Sequence, residues 1–306
     1  MAIPEAQLNT WTGLGAVTQS RDTYATIKRA LEDNNSPYHS HSFDTFLQGS
    51  YGNDTNVYGD SDVDIVIRQT SLYYYNIDGL SDADKANFRR DHSSSAQYTL
   101  HNFRRDVAAW LNQQYPQDFD ASGTKALYIR QRNNRRNADV LVCARHKRFL
   151  SYQSVQNQRF VDGVIFFPTS GGEIINYPKQ HSDNMTAQHQ ATNSWLKPAV
   201  RVIKNMRNKM IEDEMLREGV APSYYLEGLL YNAPPNVFNT DWQTAIAGCL
   251  SWAVQTDKSQ LLCASRQHWL VRDNQNTSWP TADCEMFLAA AVDLWSNWGK
   301  PRRRWI

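Results

Sequence analysis

The sequence GSYGNDTNVYGDSDVDIVI, residues 49–67, carries more chemical information than any other stretch of this chain. It opens with Gly49-Ser50 in a Gly-rich turn and ends in a short β-branched run that predicts a strand. Asp62 and Asp64 stand two residues apart at the start of that run. Because side chains alternate along a strand, both carboxylates are expected on one face of it.

Paired carboxylates at this spacing indicate a divalent-cation site. Two carboxylates a few ångströms apart repel each other unless a cation lies between them, and Mg²⁺ prefers oxygen ligands together with substrate phosphates. A third carboxylate on a neighbouring strand would complete the site, and Asp139 is the best candidate because it opens the apolar run 140–142. Asp62 and Asp64 alone would also be ordinary on a solvated strand edge, so the interpretation depends on the turn before them.

The turn before the aspartates predicts a phosphate site. Gly49 and Gly52 let the main chain approach a ligand closely, and its N–H groups with the Ser50 hydroxyl are suited to hold phosphate oxygens. A phosphate-binding turn beside carboxylate-bound magnesium is the combination that phosphoryl or nucleotidyl transfer requires.

This combination resembles the signature of a known superfamily. Gly-Ser, an eleven-residue spacer and Asp-Val-Asp entering a β-branched run are similar to the nucleotidyltransferases related to DNA polymerase β. Within that superfamily, Gln48-Gly49-Ser50 with Thr55 most resembles the cGAS/DncV-like nucleotidyltransferases, called CD-NTases. The resemblance covers roughly residues 40–231, and the remaining 75 residues are similar only in being helical.

The resemblance implies roles for nine residues. Asp62, Asp64 and Asp139 are the implied catalytic residues and metal ligands. The first two hold both Mg²⁺ ions, for which Mn²⁺ can substitute, while Asp139 binds one ion and helps to deprotonate the acceptor 3′- or 2′-hydroxyl. The implied nucleotide-binding residues are Gln48, Gly49 and Ser50 at the donor triphosphate, Lys204 and Ser223 at its β- and γ-phosphates, and Tyr224 stacked on a base.

The residues themselves support part of this assignment and leave alternatives. Lys204 falls on the polar face of a predicted helix, where a lysine is often simply solvated. Ser223 fits a helix N-terminus, where anions are favoured, and it is expected to be the N-cap in either case. Tyr224 either stacks on a base or packs at the seam between two lobes.

Strand and helix patterns predict an α+β fold: a polymerase-β-like nucleotidyltransferase lobe with a mixed sheet, then an all-helical C-terminal lobe. We place the boundary near residue 185, with the core and its N-terminal helix in residues 1–185 and the helical lobe in residues 186–306. The resemblance puts the active site in the cleft between the lobes. The individual predictions are helices at 18–33, 94–115, 224–231 and 282–298, a capping box at Thr240 and Gln243, and hairpins at 126–144 and 163–177.

Composition excludes several classes of protein. The 306 residues are 41% hydrophobic and 21% charged, as in ordinary globular domains, and the formal net charge is +1. So neutral a chain is a poor partner for long nucleic acid, although one predicted hairpin carries Arg130, Arg132, Arg135 and Arg136. We recognise neither a membrane span nor a signal peptide, and therefore expect a cytoplasmic protein whose four cysteines are buried and reduced.

The lead hypothesis is a magnesium-dependent enzyme that condenses nucleoside triphosphates into a cyclic oligonucleotide messenger and releases pyrophosphate. By resemblance, the messenger activates an effector in bacterial anti-phage defence of the CBASS type, and residues 300–306 form a candidate tail for a partner. Two alternatives stay open. One is a nucleotidyltransferase that extends an RNA end or modifies a protein acceptor, and the other is a non-catalytic nucleotide-binding scaffold.

Overall fold

A computed structural model of the chain describes residues 2–15, 17–58, 62–92, 96–238 and 240–300. They form two compact units, which we call the sheet unit and the helical unit. As far as described, the sheet unit comprises Val17–Tyr51 and Ser61–Pro178, and the helical unit comprises Met1–Ala16, Gly52–Asp60 and Lys179–Ile306.

The division differs from the continuous N-terminal domain that we expected. Residues 2–15 and 52–58 belong to the helical unit rather than to the sheet unit. Hydrogen bonds from one helix of the helical unit explain this, because the Arg201 guanidinium donates to the carbonyls of Thr12 (2.5 Å) and Asp54 (2.6 Å).

The described residues contain ten α-helices and seven strands. The helices are α1 (Glu5–Trp11), α2 (Val17–Leu31), α3 (Gly49–Gly52), α4 (Asp82–Asp91), α5 (Leu100–Gln114), α6 (Pro178–Ala191), α7 (Leu196–Glu212), α8 (Ser223–Tyr231), α9 (Trp242–Gln255) and α10 (Thr281–Ser296). The strands are β1 (Phe43–Leu47), β2 (Val63–Asn76), β3 (Phe119–Asp120), β4 (Leu127–Ile129), β5 (Ala138–Tyr152), β6 (Gln158–Phe166) and β7 (Ile174–Asn176).

The strands form one mixed sheet, as predicted. β2 runs parallel to β5 and antiparallel to β1, and β5 pairs antiparallel with both β4 and β6. In the parallel pair, Asp64 stands opposite Asp139 and Ile65 stands opposite Val140. Because side chains alternate along both strands, the two aspartates share one face of the sheet and the two apolar residues share the other.

Helices α2 and α5 cover the apolar face of the sheet. The two helices and the strands beneath them share one buried cluster that includes Leu31, Phe103, Val107, Ile65 and Val140. Burying this stripe removes apolar side chains from water at roughly 25 cal/mol per Å². The same alternation that places Ile65 in this core directs Asp64 to the opposite face.

Helix α7 is the centre of the helical unit. It packs against α1, α8, α9 and α10, and its apolar residues, such as Val202 and Met206, lie in the main core of that unit. Pro198 lies in the first turn of α7, where a proline costs no helical hydrogen bond. It therefore marks the start of the helix.

Both predicted hairpins are confirmed, with β4 pairing with β5 and β6 pairing with β7, each antiparallel. Two local predictions are wrong, and one helix was missed. The helix expected from residue 94 begins at Leu100, because Thr99 caps it and accepts the Asn102 N–H. Thr240 and Gln243 form no capping box, since Asp241 is the N-cap of α9. Helix α4 was not predicted, because Phe88 is its one buried residue.

The search for membrane spans is negative, since no helix within the described part of the chain combines the length and the hydropathy that a bilayer crossing requires. All four cysteines are buried and free, as expected. Burial raises the pKa of the Cys249 and Cys284 thiols to about 12, which leaves them unreactive at neutral pH.

Candidate active site

Three aspartates come together at one end of the parallel strand pair. Asp64 of β2 and Asp139 of β5 are direct neighbours in the register, and Asp62 precedes β2 by one residue. All three side chains are half-buried. The predicted placement of the acids on adjacent strands is confirmed, while their catalytic and metal-binding roles stay predictions.

Negative charge accumulates at these aspartates. Burial raises the pKa of Asp139, and the charge of Asp62 raises it further. The pKa of Tyr128, which lies opposite Asp139 on β4, is raised by burial first and then by Asp62 and Asp139. The charge of Asp62 therefore makes Asp139 harder to ionise, which is the electrostatic condition that a bound cation relieves.

The Gly-Ser turn lies directly against the aspartates. The Gln48 N–H donates to the main-chain carbonyl of Asp64 at 2.9 Å, and Gly49 adopts a left-handed φ of +69°. A Cβ built on Gly49 would overlap the Asp64 carboxylate and would lie 2.7 Å from its Cγ. Ser50 follows in the single turn of α3. The predicted juxtaposition of the turn with the acids is therefore confirmed.

A cavity of about 340 Å³ opens beside Asp139, and the sequence did not reveal it. Its wall includes Tyr128 of β4 and the exposed polar run from Ser122 to Lys125, which precedes that strand. The sequence held one indication of this cavity, which is the polar, Gly-containing composition of the run that lines it. The cavity places hydroxyl groups and one ammonium group beside a carboxylate of raised pKa.

The described residues contain no group of three or more His, Cys, Asp or Glu side chains that is already arranged to hold a metal ion. Asp64 shows one reason, because its carboxylate lies against the backbone of Gly49. Like charges separate when no cation lies between them, so a preformed cluster of bare carboxylates is not expected.

The alternative that Lys204 of α7 is simply solvated is excluded. Its side chain is fully buried, and Nζ donates to the main-chain carbonyl of Thr55 at 2.9 Å. The neighbouring cations on that face are buried too: Arg201 binds carbonyls, and Lys197 pairs with Asp54 at 3.3 Å. The polar face of α7 thus fixes segment 53–57. The predicted phosphate contact of Lys204 stays a prediction.

The expectation that Ser223 is an N-cap is also wrong. Pro222 is the N-cap of α8 and Ser223 is its first helical residue, as the extended ψ of 142° at Pro222 shows. The Ser223 hydroxyl accepts a hydrogen bond from the Arg207 guanidinium at 3.0 Å. Arg207 therefore places a cation beside Ser223, a residue predicted to bind phosphate. Arg207 itself was not predicted from the sequence.

Tyr224 is half-buried in the helical unit. Its ring stacks on His181, with 5.0 Å between ring centroids and 26° between planes, and its edge meets Tyr225. Burial raises the pKa of the Tyr224 hydroxyl far above its usual value. Tyr224 thus packs within the helical unit, while packing at a seam between lobes and base stacking both stay predictions.

A buried polar cluster in the helical unit was not predicted. Glu227 of α8 is 3% exposed and accepts hydrogen bonds from Asn53 (3.0 Å), Thr55 (2.5 Å) and His181 (2.7 Å). We call Glu227, Asn53, Thr55, His181 and Lys204 the Glu227 cluster. The sequence held one indication of this cluster, which is the single glutamate in the apolar sequence YYLEGLLY. A carboxylate buried among apolar residues requires polar partners.

Comparisons with known proteins agree with this architecture. Residues 183–296 match the model of the cGAS/DncV-like nucleotidyltransferase C-terminal helical domain. The chain is 32% identical over 301 residues, 98% of its length, to the whole of the cyclic UMP-AMP synthase of Rhodothermus marinus. It is 31% identical over 304 residues, 97% of its length, to the whole of the cyclic nucleotide synthase CdnE01 of Staphylococcus haemolyticus.

Solved structures extend the likeness to three dimensions. The Rhodothermus marinus CdnE c-UMP-AMP synthase, solved with Apcpp and Upnpp, superposes with a TM-score of 0.86 at 32% identity over 99% of each chain. The CdnE cyclic dinucleotide synthase of Elizabethkingia meningoseptica gives a TM-score of 0.75 at 24% identity, covering 97% of this chain and 99% of that one, and shows the same fold.

The chain therefore belongs to the cGAS/DncV-like nucleotidyltransferase family, as its motifs predicted. Membership makes it an enzyme of the nucleotidyltransferase class, with a mixed-sheet lobe and a helical C-terminal lobe.

The raised pKa of Asp139 leads to a prediction about stability. The folded chain binds a proton at this carboxyl more readily than the unfolded chain, so the ionised group opposes folding above about pH 4. We expect Asp139→Asn to raise the melting temperature at pH 7 in metal-free buffer. The gain should shrink as the pH falls towards 4, because the native carboxyl then takes up its proton.

Thermal unfolding at pH 4 to 8 checks this expectation. Asp78→Asn, which changes an exposed aspartate of the same unit, is the control and should leave the melting temperature unchanged. A destabilised Asp139→Asn protein at pH 7 would contradict the electrostatic account.

Proposed function

We propose that this enzyme uses magnesium to condense nucleoside triphosphates into a cyclic oligonucleotide, releasing pyrophosphate at each step. The observation that carries the proposal is the register of Asp64 and Asp139 with Gly49 packed against Asp64. Acids on adjacent strands beside a backbone turn suit a triphosphate with its metal ions.

The residues of the site fit Mg²⁺. Asp62, Asp64 and Asp139 offer carboxylate oxygens, the ligands that this cation prefers, and the pKa of Asp139 is raised by burial and by the charge of Asp62. These three residues would hold the metal. When bound, it would polarise the α-phosphate and neutralise the pyrophosphate leaving group.

The chain's own groups have distinct parts in the proposed reaction. A ribose hydroxyl oxygen of the acceptor attacks the α-phosphorus, a new P–O bond forms, and the bond between the α-phosphorus and the bridging oxygen breaks. Asp139 accepts the hydroxyl proton, for which its raised pKa makes it a stronger base. The main-chain N–H groups at Gly49 and Ser50 bind the donor phosphates, and the cavity beside Asp139 admits the acceptor.

Cyclisation and the bases used are proposed from the relatives. The Rhodothermus marinus protein is a cyclic UMP-AMP synthase, and its structure holds analogues named Apcpp and Upnpp. ATP and UTP are therefore the first substrate pair to test. We further propose that the product is a messenger for an effector in bacterial anti-phage defence of the CBASS type, and that the enzyme acts in the cytoplasm.

A partner for the C-terminal tail is a separate part of the proposal. Residues 301–306 lie outside the described part of the chain, so the tail remains a feature of the sequence alone. Long nucleic acid stays an unfavoured partner. Three arginines of the basic hairpin are paired with aspartates: Arg130 with Asp120 (2.6 Å), and Arg135 (2.6 Å) and Arg132 (3.7 Å) with Asp118.

A product assay tests the proposed function. We expect the purified protein, incubated with all four labelled nucleoside triphosphates and Mg²⁺ or Mn²⁺, to form a phosphatase-resistant product whose mass is that of a cyclic oligonucleotide. Omitting the metal should abolish this product. Products that phosphatase degrades completely, or RNA lengthened in place of a cyclic product, would overturn the proposal in favour of another acceptor.

A further inference from the structure

We propose that Glu227 is a positioning residue of nucleotidyl transfer: its buried carboxylate fixes the chain segment that joins the Gly49-Ser50 turn to Asp62, and also supports the ring beneath Tyr224. This inference rests on the proposed function. It is carried by the Glu227 cluster, whose members all lie in the helical unit.

The first step is the anchoring of segment 53–57. Asn53 and Thr55 each donate a side-chain hydrogen bond to Glu227, at 3.0 and 2.5 Å, and the carbonyl of Thr55 accepts from Lys204 at 2.9 Å. Thr55 is 0% exposed and is held through both its side chain and its main chain. The two hydrogen bonds of Thr55 are both buried, so water does not compensate for the loss of either one.

The second step is the charge balance of the cluster. Burial acts to raise the pKa of Glu227, but the hydrogen bond and charge of His181, the charge of Lys204 and the hydrogen bond from Thr55 together hold it below its usual value. Glu227 is therefore ionised and accepts every bond that it makes. Removing its charge takes one buried anion away from the buried Lys204 cation, which is unfavourable.

The third step is the orientation of His181. Its Nε2 lies 2.7 Å from a carboxylate oxygen of Glu227, which can only accept, so Nε2 carries the proton. Its buried Nδ1 has no hydrogen-bond partner among the described residues, so the bond to Glu227 is the one that orients the ring. The ring oriented in this way stacks on Tyr224, the residue predicted to meet a base.

The fourth step is the connection along the polypeptide chain. Asn53 follows Ser50 by three residues, and Asp62 follows Thr55 by seven, so the anchored segment lies between two parts of the proposed site along the chain. If the main chain can shift at Thr55, the positions of Ser50 on one side and Asp62 on the other are less firmly held. Displacements of about 1 Å can cost on the order of 100-fold in rate.

A hydroxyl deletion tests the proposal without removing a buried charge. Thr55→Val keeps the shape of the side chain and removes its bond to Glu227, and Thr55→Ser restores that bond. Thr192→Val is the matched control, because Thr192 is a 2% exposed threonine of the same unit whose hydroxyl bonds α6 and the start of α7. We expect kcat for NTP condensation to fall at least about tenfold in Thr55→Val and less than about twofold in Thr192→Val and Thr55→Ser.

Two readouts separate positioning from simple loss of stability. Melting temperatures should fall to a similar extent in both valine variants, whereas amide hydrogen exchange at residues 53–57 should accelerate in Thr55→Val alone. Equal losses of kcat in the two valine variants, or unchanged exchange at 53–57, would overturn the proposal. Glu227→Gln should reproduce the Thr55→Val pattern with a larger effect if it folds.

Failure of the proposed function is distinguishable from failure of this inference. If the unmodified protein makes no cyclic product, kcat is replaced by the affinity for a non-hydrolysable ATP analogue with Mg²⁺. That affinity should fall at least about tenfold in Thr55→Val and stay within about twofold in Thr192→Val. Unchanged analogue binding together with unchanged exchange rejects a positioning role whatever the reaction is.

Discussion

Asp64→Asn should lower the rate of cyclic product formation at least about 1,000-fold, which corresponds to roughly 4 kcal/mol of transition-state stabilisation. The substitution keeps the shape of the side chain and removes one negative charge from the acids on β2 and β5. Because the repulsion between Asp64 and the other two carboxylates is removed, the folded protein should be no less stable than the unmodified one. The expected variant is thus folded, unable to bind metal tightly, and inactive.

Initial rates with ATP, UTP and Mg²⁺, followed by mass spectrometry, give the measurement. Asp78→Asn makes the same chemical change at an exposed position of the same unit and should retain full activity. An Asp64→Asn protein that keeps more than about a tenth of the native rate would show that the reaction does not depend on this carboxylate. The proposed arrangement of acids would then be wrong.

Gly49→Ala should lower the rate at least about 100-fold by a different route. Gly49 has φ +69°, which costs an alanine roughly 1–2 kcal/mol, and its new Cβ would overlap the Asp64 carboxylate. Either the turn or the carboxylate must then move. A shift of about 1 Å in reacting groups is enough for the expected loss of rate.

The control for this prediction separates backbone strain from collision. Gly172 has a similar φ of +78°, lies in the same unit between β6 and β7, and would place its Cβ more than 4 Å from any neighbour. Gly172→Ala therefore introduces only the backbone strain of a left-handed φ. This variant should lose a few degrees in melting temperature but little activity. Comparable activity in the two variants would show that contact between Gly49 and Asp64 is not needed for the reaction.

The parts of the site that are local in sequence could be predicted from it. Asp62 and Asp64 lie at the start of one strand, and alternation alone sets their face, while Asp139 could be placed because it starts the next strong β-branched run. The Gly-Ser turn was found in the same way. Such features depend on neighbours along the chain, where periodicity carries the information.

The errors about buried charged groups have one physical cause, which is contact between residues far apart in sequence. A charged stripe on α7 is typical of a solvated face, and nothing near Lys204 shows that the carbonyl of Thr55, 149 residues away, covers it. Likewise the partners of Glu227 lie 46 to 174 residues away. A charged side chain can be buried only where tertiary partners compensate its charge, so the pattern of one helix cannot show that it is buried.

The helical unit is assembled from three separate stretches of the polypeptide, and this has a consequence for synthesis. The middle stretch, 52–58, leaves the ribosome long before Glu227, its anchor 172 residues after Thr55. Early chains must therefore carry that stretch without its bonds to Glu227 until residue 227 has been synthesised. A fragment beginning at Lys179 would also lack the carbonyls that Arg201 and Lys204 require, so it should not fold as an independent domain.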